Sequence, residues 1–275
     1  MAKPEPMPER NLSTSAGEVD LESKKDTRQE RKLVDKYGVD LTQPLFAQAA
    51  GLGDQYWDWV HTSVSPKTMA RRAELCPGKW GNSVRIFHSD FLEPLTHMQW
   101  WLVLVVWVPV VLAMLAVAFF GRGMPLPQLL GWFLLGVATW TLLEYILHRV
   151  IFHFEPHSKL GRHIHFLFHG IHHLDPWDAT RLVFPPVLGA AFGLVIFSLV
   201  RLVLPLDESL AAMAGLIVGY LGYDMSHYYS HHVKPGNRWG KFLRRYHLAH
   251  HHKEQHRLFG VSQPFWDIVF RTGER

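Results

Sequence analysis

Three long stretches of the chain, residues 94–121, 123–143 and 182–200, contain no Asp, Glu, Lys or Arg. Each approaches or exceeds the roughly 20 apolar residues that a helix needs to cross a bilayer. A simple soluble globule is therefore excluded, although the averages over all 275 residues, 48% hydrophobic and 19% charged, look ordinary.

The punctuation between these stretches predicts four spans. The first runs from Trp100 to about Phe120, and Gly121–Pro125 leaves room only for a hairpin. The second, about Leu129 to Ile146, returns and continues into His148 and His153. The third starts after Pro185 and Pro186, because a residue preceding proline disfavours helix, and stops near Leu204 before Pro205. The fourth covers Leu210 to about Tyr223, and the segment Asp224–Tyr229 extends it along a polar interior. The fold class expected is an all-α integral membrane protein with about four transmembrane helices and a cytosolic helical cap.

Charge sets the orientation. The net charge of +4 and a pI near 9.2 would suit nucleic acid, but the basic residues gather beside the apolar stretches. Arg71, Arg72, Lys79 and Arg85 precede the first, and Lys234, Arg238, Lys241, Arg244 and Arg245 follow the last, as expected of cytosolic flanks. No nucleic-acid partner is expected. Both termini, and the ends of spans two and four, then face the cytosol. Residues 1–37 carry 16 charges, evenly split, and read as a disordered arm too polar for a signal peptide. Residues 38–93, with Trp57, Trp59, Phe87 and Phe91 among charges and Gly/Pro breaks, read as an amphipathic interfacial segment. Residues 94–275 form the membrane-embedded domain.

Of 19 histidines, all but His61, His88 and His97 lie after residue 140. Four groups stand out: His148 and His153; His169, His172 and His173; His227 and His231; His247, His250 and His251. Within HGIHH and HLAHH the spacing i, i+3, i+4 stacks three rings on one helical face, and His227 and His231 are i, i+4. His148 and His153, five apart, lie about 140° apart on an ideal helix, so one is expected at the end of span two and the other beyond it. Ten imidazoles converging on one face are too many for one ion and suit two, with iron, zinc or copper as candidates. The single Cys76 excludes a disulfide framework and sites built on several thiolates. His157, His163, His165, His232, His252 and His256 lack the repeated spacing and are expected to support the site or face solvent; His61, His88 and His97 are expected at the interface. A nitrogen-ligated site where membrane meets cytosol suits oxygen activation on an acyl chain. Iron carries such a redox step, and zinc has none of its own.

Residues 148–186 and 223–262, above all RLVFPP (181–186) and YDMSHYYSHH (223–232), closely resemble the fatty acid 2-hydroxylases of sphingolipid synthesis, in the fatty acid hydroxylase and sterol desaturase superfamily. The similarity reaches back weakly to VDLTQPL (39–45). The resemblance implies two metal ions on His148, His153, His169, His172, His173, His227, His231, His247, His250 and His251, zinc being described in some members and iron expected for turnover. It implies (R)-2-hydroxylation of the acyl chain of ceramide or dihydroceramide with O2, and puts Tyr223 and Asp224 beside the metals, orienting ring nitrogens and substrate. Many members carry a fused cytochrome b5 domain with a His-Pro-Gly-Gly motif; no such motif occurs here, so electrons are expected in trans from cytochrome b5 and its reductase. The location implied is the endoplasmic reticulum in a eukaryote or the inner membrane in a bacterium. A sterol or acyl-lipid desaturase would use the same ligand spacing and differ in product. A membrane metal-binding or transport protein would line the spans themselves with histidines, whereas here they lie at span ends and beyond.

Overall fold

The computed structural model describes residues 36–64 and 83–274. The charged arm as far as residue 35, and Arg71, Arg72, Cys76 and Lys79, lie outside the described residues. Every regular element among those described is helical. In chain order they are α1 (Leu45–Gly51), α2 (Tyr56–Val60), α3 (Trp100–Ala116), α4 (Leu126–Ile146), α5 (Lys159–His165), α6 (Ile171–Leu174), α7 (Pro186–Arg201), α8 (Leu206–His232), α9 (Arg238–His252) and α10 (Phe265–Val269).

Two of these are long and apolar enough to cross a membrane. α3 continues through a π-helical turn, Val117–Gly121, into a 22-residue rod, and α4 continues through a second, Leu147–Phe152, to reach 27 residues. The second span is thus longer at both ends than Leu129–Ile146. Pro125, Pro185 and Pro205 stand at the N-caps of α4, α7 and α8, where a missing N–H costs the helix nothing. The hairpin between α3 and α4 turns at Gly123, whose φ of +69° suits a residue without Cβ. α7, at 16 residues, is shorter than the other rods.

The fourth stretch differs most from its sequence reading. α8 is one unbroken 27-residue helix from Leu206 to His232, which joins the expected core Leu210–Tyr223 to its extension Asp224–Tyr229 and runs further at both ends. It is the central rod, buried along most of its length, with α4 and α3 packed against it. Its contact face is therefore chosen for closeness rather than hydropathy. A Cβ on Gly215 would come within 2.0 Å of the Phe133 carbonyl oxygen, and one on Gly136 of α4 within 2.0 Å of the Ala212 carbonyl oxygen. Small residues at a crossing let helix backbones approach, which is the main source of attraction where both helices are wetted by lipid. We expect Gly136→Val to lower stability by about 3 kcal/mol or more. Gly131→Ala, in open space, should be near neutral; thermal unfolding in detergent compares them, and equal melting temperatures would refute the close-crossing account.

Outward faces of α3, α4 and α7 carry Val105, Leu112, Leu134, Leu194 and Leu199, each more than half exposed. Exposed apolar surface of this extent marks a face that contacts a membrane or another protein. Val39, Leu45, Trp59, Val60, Val84 and Ile86 form one core with Phe166, Ile171 and Leu174. They cap the histidine-bearing turn around α5 and α6. The chain between α6 and α7 is anchored to this cap by Arg181, which donates to Glu93 at 2.6 Å and to the His97 Nε2 at 2.9 Å.

Candidate metal centre

The ten histidines of the four groups are buried and gather in two clusters of five. His148, His153, His169, His173 and His250 form one; His172, His227, His231, His247 and His251 form the other. The rings that the i, i+3, i+4 spacing puts on one helical face are thus shared between two clusters. His169 and His173, one turn apart, enter the first cluster while His172 between them turns to the second. His247 and His251 enter the second while His250 crosses to the first. A helix offers i and i+4 nearly the same direction, whereas i+3 departs by about 60° from i at 3.6 residues per turn. That departure separates the two destinations.

The pair five apart is brought together by the π-turn. The amide of His153 bonds to the carbonyl of His148 at 3.0 Å, which closes an i to i+5 ring, and the two imidazole centroids lie 4.9 Å apart. π-bulges of this kind recur at functional sites. A third π-turn, Phe166–Gly170, ends α5 and leads into α6, setting the phase of HGIHH.

All ten rings aim Nε2 inward. In the first cluster His153 Nε2 lies 3.0 Å from that of His169, 3.2 Å from that of His173 and 2.9 Å from that of His250. In the second, His172 Nε2 lies 2.9 Å from that of His227 and 3.1 Å from that of His251, and the Nε2 atoms of His231 and His247 are 2.7 Å apart. His173 and His251, one from each cluster, stack with centroids 4.2 Å apart. Hydrogen bonding does not account for this packing. The Nδ1–H of His148 donates to the Phe259 carbonyl at 2.6 Å and that of His250 to the Arg257 carbonyl at 2.7 Å. A neutral ring so engaged keeps only a lone pair on Nε2. Burial pushes the pKa of His153, His169, His173, His247, His250 and His251 well below 6.5, and that of His172 to about 3. The rings are therefore neutral. Neutral imidazoles whose nitrogens lie about 3 Å apart match the edges of a polyhedron with metal–nitrogen bonds of about 2.1 Å. The donor set fits two metal ions.

A mostly apolar cavity of about 230 Å³ opens from the clusters into the bundle. His169, His172 and His227 line one end; Trp107, Trp140, Phe192, Ile217 and Met213 line the rest. Tyr223 and Asp224 also line it. Tyr223 lies beside the His227 ring, with centroids 5.8 Å apart. Asp224 is hydrogen-bonded by Tyr220 Oη at 3.0 Å and the Phe184 amide at 3.3 Å; its partners are the cavity wall and RLVFPP, not a ring nitrogen.

The unpatterned histidines divide. His256 is exposed, beside Glu155. His163 stacks on Phe46. His165 is buried, bonded by Tyr56 through Nδ1 at 2.6 Å. His61, expected at the interface, is buried with its ring 4.7 Å from that of His173, and His97 bonds Thr180 and Arg181. Sequence reasoning placed Glu144 on the run into His148 and His153 and gave it no role. It is 2% exposed, and its carboxylate accepts the Val261 amide, the Ser262 amide and the Ser262 hydroxyl at 3.0, 2.8 and 2.5 Å. A lone acid four residues before His148 in an apolar span was the available signal.

Comparison with known proteins follows the same lines. Residues 133–272 match the fatty acid hydroxylase family. The chain is 37% identical to the dihydroceramide fatty acyl 2-hydroxylase FAH2 of Arabidopsis thaliana, over 87% of this chain and 95% of that protein. It is 39% identical to the ceramide very long chain fatty acid hydroxylase SCS7 of Saccharomyces cerevisiae, over 85% of this chain and 58% of that one. The rat fatty acid 2-hydroxylase is 35% identical over 86% and 65%. The solved structure of full-length Scs7p, in which only the hydroxylase domain is visible, superposes with a TM-score of 0.78 at 36% identity, covering 90% of this chain and 89% of that one. By profile, by sequence along most of its length and by fold, this chain belongs to the fatty acid hydroxylase family.

Proposed function

We propose that the protein is an O2-dependent monooxygenase that 2-hydroxylates the fatty acyl chain of ceramide or dihydroceramide. The observation that carries this reading is an apolar cavity whose one polar end is formed by histidines of both clusters. The names of relatives matched over most of their length supply the lipid class.

The ten histidines would hold two metal ions, and redox-active ions such as iron would supply the activation of O2. The chain's own part is placement and exclusion. From His227 to Met213 the cavity follows fourteen residues of α8, about 21 Å at 1.5 Å per residue. An acyl chain lying there, with its tail toward Met213, presents its carboxyl end at His169, His172 and His227. Carbon 2 is then the position held closest, and holding one carbon there is what selects it. Phe152, Phe168 and Phe184 line the histidine end and keep bulk water from it. Asp224 fixes the Phe184 amide, and through it the roof of the cavity.

In this reading α3, α4, α7 and α8 are four spans, with the clusters, the helical cap and both termini on the cytosolic side, in the endoplasmic reticulum or a bacterial inner membrane. The arm 1–37, the segment 38–93 and the domain 94–275 divide the chain. Cytochrome b5 and its reductase deliver electrons in trans, steered by Lys241, Arg245 and Lys253, which are exposed on or beside α9.

Expression with a cytochrome b5 donor in a host that lacks 2-hydroxy sphingolipids should yield ceramides heavier by one oxygen on the acyl chain, read by lipid mass spectrometry. Oxygen on the sphingoid base, or a new double bond, would overturn the 2-hydroxylase reading and favour a desaturase or other hydroxylase of the same superfamily.

A further inference from the structure

We infer that Asp267 and Glu144 are positioning residues for one metal site alone, so that the two sites differ in how firmly they hold their ion. This rests on reading the two clusters as metal sites. Both acids are buried, at 0% and 2% exposure, and both spend their oxygens on the backbone of one short segment, residues 257–262. Asp267 accepts the Phe259 amide at 2.9 Å, the Gly260 amide at 2.7 Å and the Thr272 hydroxyl at 2.7 Å. Glu144, reaching across from α4, takes the amides of Val261 and Ser262. Leu258 is pinned through its amide to the Thr272 carbonyl at 2.9 Å, and Arg257 Nε donates to the Gly273 carbonyl at 3.0 Å. There is no slack in the segment, since a Cβ on Gly260 would lie 2.1 Å from the Gln263 carbonyl oxygen.

What the segment presents is the pair of carbonyls, Phe259 and Arg257, that take the Nδ1–H of His148 and His250. A carbonyl in that position selects the tautomer, fixes the ring plane and makes Nε2 a stronger donor. Both rings belong to the first cluster. Among the described residues no hydrogen bond runs from residues 257–273 to His172, His227, His231, His247 or His251. The clamp thus acts on one site, although the two sites touch through His173 and His251.

The test uses the full chain in detergent, loaded with zinc, and follows its release to EDTA with a zinc-sensitive dye, without turnover. Wild type should hold two zinc ions per chain. Asp267→Asn and Glu144→Gln should each speed the release of one ion about 10- to 100-fold and leave the release of the other at its wild-type rate. After extended dialysis one ion per chain should remain. Ser262→Ala, which removes only the hydroxyl bond to Glu144, is the milder variant should the acid variants fail to fold. It should accelerate the same phase alone. Unchanged release of both ions, or equal acceleration of both from folded protein, overturns the inference. A wild-type chain with no histidine-dependent zinc would instead overturn the metal-site reading beneath it.

Discussion

Purified His172→Ala should contain less metal than wild type and form 2-hydroxylated ceramide more than about 100-fold more slowly. The estimate is a floor, because changes to partners one step removed from a metal already cost about 10- to 100-fold. His172 Nε2 sits within 3.1 Å of the Nε2 atoms of both His227 and His251, and its ring reaches the second cluster from a helix whose other histidine, His173, serves the first. Nothing nearby replaces it. His169→Ala, His227→Ala and His250→Ala should behave alike. His163→Ala and His256→Ala should keep activity and metal within a few-fold, since one ring lies on Phe46 and the other is 64% exposed. Metal content and product measured on the same preparations decide the matter. A fully active His172→Ala protein would remove the basis for two clusters.

Acidification should release metal and destabilise the fold together, over a window set by the histidines. His153, His169, His172, His173, His247, His250 and His251 are held neutral by burial, His172 down to about pH 3. In the unfolded chain each protonates near 6.5. Between these limits the unfolded state binds more protons than the folded one, so stability falls as pH falls. The contribution is complete above pH 6.5 and drains away as pH drops toward the folded values. Each such ring costs up to about 1.4 kcal/mol per pH unit, and seven acting together should unfold the metal-free protein well above pH 3. Bound metal opposes this by stabilising the neutral rings, yet is itself lost as they protonate. Thermal unfolding and metal content, with and without chelator, should both decline between pH 6.5 and 5. A melting temperature flat down to pH 4.5 would contradict neutral, buried imidazoles.

Much of this site was legible from residue order. Uncharged runs located α3, α4 and α7, Pro185 and Pro186 marked where α7 begins and Pro205 where it has ended, and the four histidine groups named the ten rings that meet. Three things were not legible, each for a physical reason. Periodicity cannot show a π-turn, because the extra residue in Leu147–Phe152 leaves no mark in composition, so His148 and His153 looked misaligned when they are neighbours. Spacing i, i+3, i+4 describes one helix face only when one target lies opposite; with two targets, the 60° offset of His172 and His250 becomes a division of labour. Hydropathy underrates a helix buried among other helices, so α8 read as short where Gly215 and its neighbours let it run through the centre. The backbone carbonyls of Phe259 and Arg257 could not be read at all, since every residue has one and only the fold says which is aimed.

The exchange of His172 and His250 between the clusters bears on how such a protein comes to be made. Neither cluster draws its five rings from a continuous stretch: the first waits for α9, and the second needs a ring from α6, made long before. The carbonyls that fix His148 and His250 lie later still, at Phe259 and Arg257. A chain growing from its N-terminus therefore holds neither set of five rings complete before α9 has been made.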